Sequence, residues 1–420
     1  MNTRSFDGRA LSSPWVFVAA LSIRLLIIGL TPWSNTMADL VMYRDTGQLV
    51  AHGVNPYDPL DQVALRDRIR AADAPFNAAA ASATSWNYYA SGNLPLSALL
   101  FGAIETVAPG RPAAYRVTFA VLDSLLAVCL VVYARRFWRG RVPSWLVLGI
   151  GAASPVLLYW GAILPEDKGT QTLLMIGALY FAQRRALWPA AMCLGASVAF
   201  KGLGAFIAPF CLLPFWQGDR PGDTRPVRAA AFVLLSAACC LVFFLPYVPD
   251  VITVILRRAS HSVSSLPRGA SIWRALYVST TSQWTIVRDA FVAGFIALNV
   301  YGAATRRFSP AVLTASVVLL GTAILMLDAS LDRLNIGLVV AIVLVGQQSA
   351  SAAAWLGGYY CVGGYLLLFS VVALKAFTKT QIEMQFLDSL FSLAFVLAYC
   401  GVLAALLRSG RPAPSGPLAV

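Results

Sequence analysis

Long apolar runs, broken by short arginine-bearing segments, set the rhythm of this chain. The runs fall at about 14–33, 113–134, 143–161, 169–183, 186–200, 202–216, 227–247, 285–304, 309–327, 334–348, 355–374 and 387–407. Within them apolar side chains recur on every face, and a helix of ~20 such residues crosses a bilayer. The pattern therefore predicts an all-α polytopic integral membrane protein of about 12 transmembrane helices.

One long polar stretch, residues 34–112, interrupts the rhythm between the first two runs. It is expected to form a long first outer loop carrying interfacial helices. The segment from Ala38 to His52 reads as an amphipathic helix, with Asn35 or Thr36 to cap its start and Gly53 to stop it. Asn55-Pro56-Tyr57-Asp58-Pro59 is turn chemistry that cannot continue a helix. Asp39 and Tyr43 lie four apart and share a face, while Arg44 and Asp45 point elsewhere. A carboxylate thus sits in the first turn of a helix just past a membrane span. It either complements the helix dipole on a solvated helix or does chemistry at the bilayer surface.

Asn93 to Ala108 is apolar but, at ~16 residues, short of a crossing. Read as an interfacial or re-entrant helix, it leaves Arg135, Arg136, Arg139 and Arg141 on the cytoplasmic side, with Arg184-Arg185, Arg220, Arg225, Arg228, Arg306-Arg307, Arg408 and Arg411. Read as a span, it moves the first of these clusters outside. Positively charged loops stay in the cytoplasm, so the interfacial reading is the one expected. Both termini are then cytoplasmic. The outer side receives residues 34–112, the short loop Pro165-Glu166-Asp167-Lys168, the tight turn at Lys201-Gly202 and a third loop from Asp250 to Trp284. This divides the chain into a membrane module over 1–250 that contains the loop 34–112, an outer loop over 251–284, and C-terminal membrane helices over 285–420.

Composition agrees: 58% of the residues are hydrophobic and 12% charged, with mean hydropathy +0.70. The net charge of +13 comes from arginines between apolar runs, so it sets topology, and no nucleic-acid partner is expected. All seven cysteines lie in apolar segments, which signals neither disulfides nor a thiolate metal site. Two histidines are too few for a His-based metal centre. The basic N-terminus leads into an apolar run with no small-residue cleavage site at the right distance, and is expected to be a retained signal anchor.

Against this background a few charges stand out. Lys201 lies alone between two apolar stretches, where an ammonium must face a cavity or snorkel to the interface. Arg257, Arg258, Arg268 and Arg274 break the positive-inside pattern on the outer side; an anionic ligand accounts for them, with lipid head groups as the alternative. Arg24 and Asp123 fall inside the first two runs and are expected to form a structural charge pair, with a proton or ion pathway as the alternative. Gly357-Gly358 and Gly363-Gly364 have the spacing of close helix packing. The sequence contains no phosphate-loop, dinucleotide, HExxH or nucleophile-elbow motif.

Several segments carry a family resemblance. Asp39-Leu40-Val41-Met42-Tyr43 after the first run, followed by Gly53-Val54-Asn55-Pro56-Tyr57, resembles the polyprenyl-phosphate-sugar-dependent glycosyltransferases of the GT-C fold. The bacterial α-mannosyltransferase branch known as GT87 is the most similar. Trp86-Asn87-Tyr88-Tyr89 with Asn93-Leu94-Pro95-Leu96 looks like that family's Tyr-Pro-Pro-Leu region with the proline pair broken. Ala199-Phe200-Lys201-Gly202 is similar to the Thr-Lys-Gly turn of related transferases, with Phe200 in place of Thr. The likeness covers roughly residues 14–250.

The resemblance implies transfer of a hexose, mannose favoured, from a polyprenyl monophosphate to a lipid or polysaccharide acceptor, with inversion, at an active site on the extracytoplasmic face of the cell membrane. It implies Asp39 as the base, and Tyr43, Asn55, Tyr57, Trp86 and Tyr88 at the substrate. Such chemistry also needs positive charge for the departing phosphate, a role that suits Lys201, Arg257, Arg258, Arg268 and Arg274. Glu166 and Asp167, beside Lys168, are the remaining outer carboxylates, and either orient the acceptor or hold a divalent ion. A lipid-linked-glycan flippase or polymerase, or a transporter, is the competing class. Transporters concentrate polar residues at the bilayer midplane, whereas here they gather in the first outer loop.

Overall fold

The computed structural model describes residues 13–31, 38–58, 93–138, 144–216, 225–255, 268–269, 328–329, 331–347 and 349–377, with 394, 398 and 401. Helix dominates among these residues. The chain divides into two compact units, one made of 11–133 and 151–265, the other of 1–10, 134–150 and 266–420. Residues 134–150 belong to the second unit although the segments on either side belong to the first.

In the first unit, α1 (Ser13–Leu30) is followed by α2 (Ala38–Ala51), α3 (Pro95–Val107) and the long α4 (Pro112–Phe137). Helix α2 ends as its sequence dictates. Gly53 takes a left-handed φ of 72°, Val54 N–H reaches back to the Leu49 carbonyl at 2.9 Å and Gly53 N–H to that of Val50 at 3.0 Å. Only glycine adopts that conformation cheaply, so these last-turn carbonyls are satisfied at little cost. The helix is not the solvated surface helix its polar residues allow. Arg44, Thr46 and Gln48 are buried together with Leu40, Tyr43 and Leu49. Its partner is α3, whose Phe101 stacks on Tyr43 at 4.5 Å between centroids, in a cluster with Ile104, Tyr115 and Phe119. Glu105 on α3 collects Gln48, the Tyr115 hydroxyl at 3.0 Å and Gly110 N–H at 2.8 Å, so this buried carboxylate is well supplied with donors.

Downstream, α6 (Lys168–Gln183) and α7 (Leu187–Lys201) form an antiparallel pair joined by a short turn. A 3₁₀ turn over Leu203–Ile207 leads into α8 (Ala208–Trp216). Helix α9 (Arg225–Phe244) packs along α7 and leaves Leu234, Leu241 and Val242 59–69% exposed. Among the described residues two stretches, Pro112–Phe137 and Pro226–Tyr247, are long and apolar enough to cross a membrane.

The expected single helix over 143–161 does not form. Helix α5 (Ser144–Gly151) stops, a one-turn helix covers Pro155–Leu157 and a π-helix covers Leu158–Ile163. Pro155 explains the stop, since it has no N–H to give the Gly151 carbonyl four residues back. Arg24, fully buried on α1, takes over that duty: it donates to Gly151 at 2.9 Å and Ala152 at 3.2 Å. Arg116 on α4 treats the far end alike, giving two hydrogen bonds of 2.9–3.0 Å to the Ala162 carbonyl. The expected Arg24–Asp123 pair is present but loose, at 3.8 Å.

Asp123 lies against two residues that have no Cβ, Gly161 in the π-helix and Gly169 in α6. A methyl at either would run into the carboxylate, so Gly169→Ala is expected to cost about 1–3 kcal/mol by overpacking. The loss should appear as a lower unfolding temperature in detergent. Gly358→Ala, where a methyl meets nothing within 4 Å, should leave that temperature unchanged.

In the second unit, α10 (Leu331–Gly346) is buried without a break from Ile336 to Val345. The Trp138 indole donates to its Val343 carbonyl at 3.0 Å and covers Gly346. Helix α11 (Ala350–Phe377) sets Gly357 against Leu146 and Ile150 of α5, the close packing its glycines predict. A two-residue parallel pairing joins β1 (Arg268–Gly269) to β2 (Asp328–Ala329). The expected spans at 285–304, 309–327 and 387–407 lie outside the described residues.

Candidate functional site

The α6–α7 hairpin brings the start of α6 and the end of α7 to the same end of the unit, and α2 lies beside them. Five of the residues singled out by sequence meet there. Glu166 and Asp167 immediately precede α6, Lys168 opens it, Lys201 closes α7 and Tyr43 projects from the middle of α2. Lys168 Nζ lies 2.5 Å from Glu166 Oε2 and 3.7 Å from Asp167 Oδ1. Lys201 Nζ lies 2.5 Å from Asp167 Oδ1. The Tyr43 hydroxyl faces both carboxylates, at 3.0 Å from Glu166 Oε2 and 3.3 Å from Asp167 Oδ1.

Burial gives this cluster its weight. Asp167 is fully buried and Glu166 and Lys168 nearly so, while the Lys201 side chain keeps 18% of its surface. Two ammoniums and two carboxylates sum to zero, which is how several charges are kept together away from bulk water. Burial pulls the pKa of Lys201 down and the neighbouring Asp167 pushes it back up. Lys201 is thus the most exposed member of the cluster.

The supports are local. The π-helix ends at an extended Leu164, Pro165 breaks the helix, Asp167 follows at the N-cap of α6 with φ −84° and ψ 9°, and Arg116 holds the π-helix end. Gln171 and Ser197 pair across α6 and α7 at 2.8 Å, one turn from the lysines. Gly202, with a left-handed φ of 76°, turns the chain sharply after Lys201, and Ser97 on α3 donates to the Phe200 carbonyl at 2.6 Å. Phe200 is buried.

Other residues expected at the site have different partners. Asn55 donates to Asp250 at 2.8 Å and accepts from Tyr57 N–H, tying the loop after α2 to the segment after α9. Tyr57 is 1% exposed, gives its hydroxyl to the Asn93 carbonyl at 2.6 Å and packs edge-on against Tyr247. Both therefore brace the loop. Asp39 falls one turn before Tyr43 on α2; its side chain, with those of Trp86, Tyr88, Arg257, Arg258, Arg268 and Arg274, lies outside the described residues.

Sequence reasoning missed the two carbonyl-capping arginines' targets. Pro155 and Pro165 were the available signals for the irregular backbone that Arg24 and Arg116 serve. No family model matches the chain, and no curated protein matches it.

Proposed function

We propose that this chain is a membrane glycosyltransferase that moves a hexose, mannose favoured, from a polyprenyl monophosphate to a lipid or polysaccharide acceptor on the outer face. The carrying observation is the buried convergence of Tyr43, Glu166, Asp167, Lys168 and Lys201 at the ends of apolar helices. Such a cluster offers what transfer of a polar sugar from a lipid carrier needs at one place: hydrogen-bonding groups for hydroxyls and cations for a phosphate.

In this reading about 12 helices of the GT-C arrangement cross the membrane, with the cluster on the extracytoplasmic side. Asp39, one turn before Tyr43, removes the acceptor proton as the anomeric bond inverts. Lys201, with the arginines at 257, 258, 268 and 274, receives the charge that develops on the leaving phosphate. Glu166 and Asp167 orient the acceptor. Each already sits beside a lysine, and two ammoniums disfavour a divalent ion at the same oxygens.

One observation favours the competing transport class. Arg24 and Asp123 are both buried within apolar helices, where ionisable residues often mark a pathway. The two readings separate in one assay. Membranes containing the protein are supplied with radiolabelled polyprenyl-phosphate-mannose, -glucose and -arabinose, and the lipid and polysaccharide fractions are analysed. Label in a new glycosidic product supports transfer. Label that changes leaflet but stays on its polyprenyl phosphate overturns it in favour of flipping.

A further inference from the structure

Two buried polar atoms at the start of α6 have nothing to bond among the described residues. Asp167 spends its Oδ1 on Lys201 and Tyr43, while its Oδ2 has no hydrogen-bond partner. The residue stands at the N-cap of α6, yet its side chain accepts no helix N–H. Three residues on, Thr170 is 7% exposed and its Oγ1 has no partner either. A threonine in a helix can return its hydroxyl to the carbonyl four residues back. Thr172 does so, to Lys168 at 2.9 Å, and Thr170 does not. Leaving such groups unmade costs about 1–3 kcal/mol each. Two of them one helical turn apart, beside the ion-paired cluster, mark bonding that a ligand completes.

The chemistry of the atoms selects the ligand. A carboxylate oxygen only accepts, so the ligand must bring a donor. A phosphate brings none when fully ionised and meets the Asp167 charge; a cation meets the ammoniums of Lys168 and Lys201. A neutral hydroxyl donates to Asp167 Oδ2 and accepts from Thr170 Oγ1 at a single oxygen. We infer that Asp167 Oδ2 and Thr170 Oγ1 form a hydroxyl-binding subsite for a neutral sugar ring, which makes Thr170 a specificity-determining residue. This inference rests on the glycosyl-transfer reading and adds to it the place where a sugar hydroxyl is recognised.

The test uses the full-length protein in lipid nanodiscs, with polyprenyl-phosphate-mannose as donor and methyl α-D-mannopyranoside and its monodeoxy forms as acceptors and soluble probes. The parent protein is expected to disfavour one monodeoxy form about tenfold in kcat/KM, the worth of one buried hydrogen bond. Thr170→Val, nearly the same size, should lose most of that discrimination while leaving the unfolding temperature close to the parent's. Thr170→Ser should restore it. Full discrimination retained in Thr170→Val at every position overturns the subsite and leaves a resident water as the partner of both atoms. Should the parent transfer no sugar at all, the transfer reading fails separately, and saturation-transfer NMR with the soluble probes then decides the subsite. Sugar binding weakened by Thr170→Val and regained by Thr170→Ser supports it; unchanged binding overturns it.

Discussion

Asp39→Asn is expected to lower the initial rate of sugar transfer by about 10²–10⁴-fold, the usual cost of losing a general base. The amide keeps the shape of the side chain but cannot take the acceptor's proton. The position supports the role: residue 39 lies one turn before Tyr43 on α2, and Tyr43 reaches both Glu166 and Asp167. Asp45→Asn, on a different face of the same helix, should change the rate far less. Rates are compared at saturating donor, so that the loss is read in turnover, and the unfolding temperature is followed in parallel. If the Asp39→Asn protein transfers sugar as fast as its parent, the mechanism fails and lipid flipping or transport moves ahead.

Lys201→Met should unfold the protein more easily as well as inactivate it. The ammonium is the close partner of a fully buried carboxylate, and breaking a buried ion pair from one side costs about 3–5 kcal/mol. The single variant therefore cannot separate support from donor recognition. Lys201→Met combined with Asp167→Asn can, because it leaves no uncompensated charge. Most of the stability should return in the double variant. Donor use should stay at least tenfold below that of Asp167→Asn alone if the ammonium contacts phosphate, since such a contact contributes about 1.5–3 kcal/mol. Recovery of both stability and donor use would reduce Lys201 to a structural counter-ion.

The parts of this site that were legible in the sequence are those whose physics is local. Gly53 stops α2 because a left-handed residue is needed there, and the apolar runs on either side of Glu166–Lys168 and Lys201 place both at the same end of a hairpin. The pairing of Lys201 with Asp167 was not legible, because spacing says where a lysine lies and not which carboxylate it meets. The run 143–161 reads as one helix by hydropathy, and only Pro155 betrays the break. Asn55 and Tyr57, prominent in the motif, turn out to fasten a loop through Asp250 and Asn93. Thr170 gave no signal, since nothing in a sequence reports that a hydroxyl has been left without a bond.

The carbonyl-capping arginines carry a consequence for the order of assembly. The irregular backbone from Gly151 to Ile163 has peptide oxygens that its own helices do not use, and in apolar surroundings each would be costly if left bare. Arg24 comes from α1 and Arg116 from α4, so this segment can settle only after those two helices have met. Both lie upstream of it and leave the ribosome first. The loop that bears Glu166 and Asp167 is thereby set in place only after α1 and α4 have met, and a chain without α1 would leave the Gly151 and Ala152 carbonyls without their arginine.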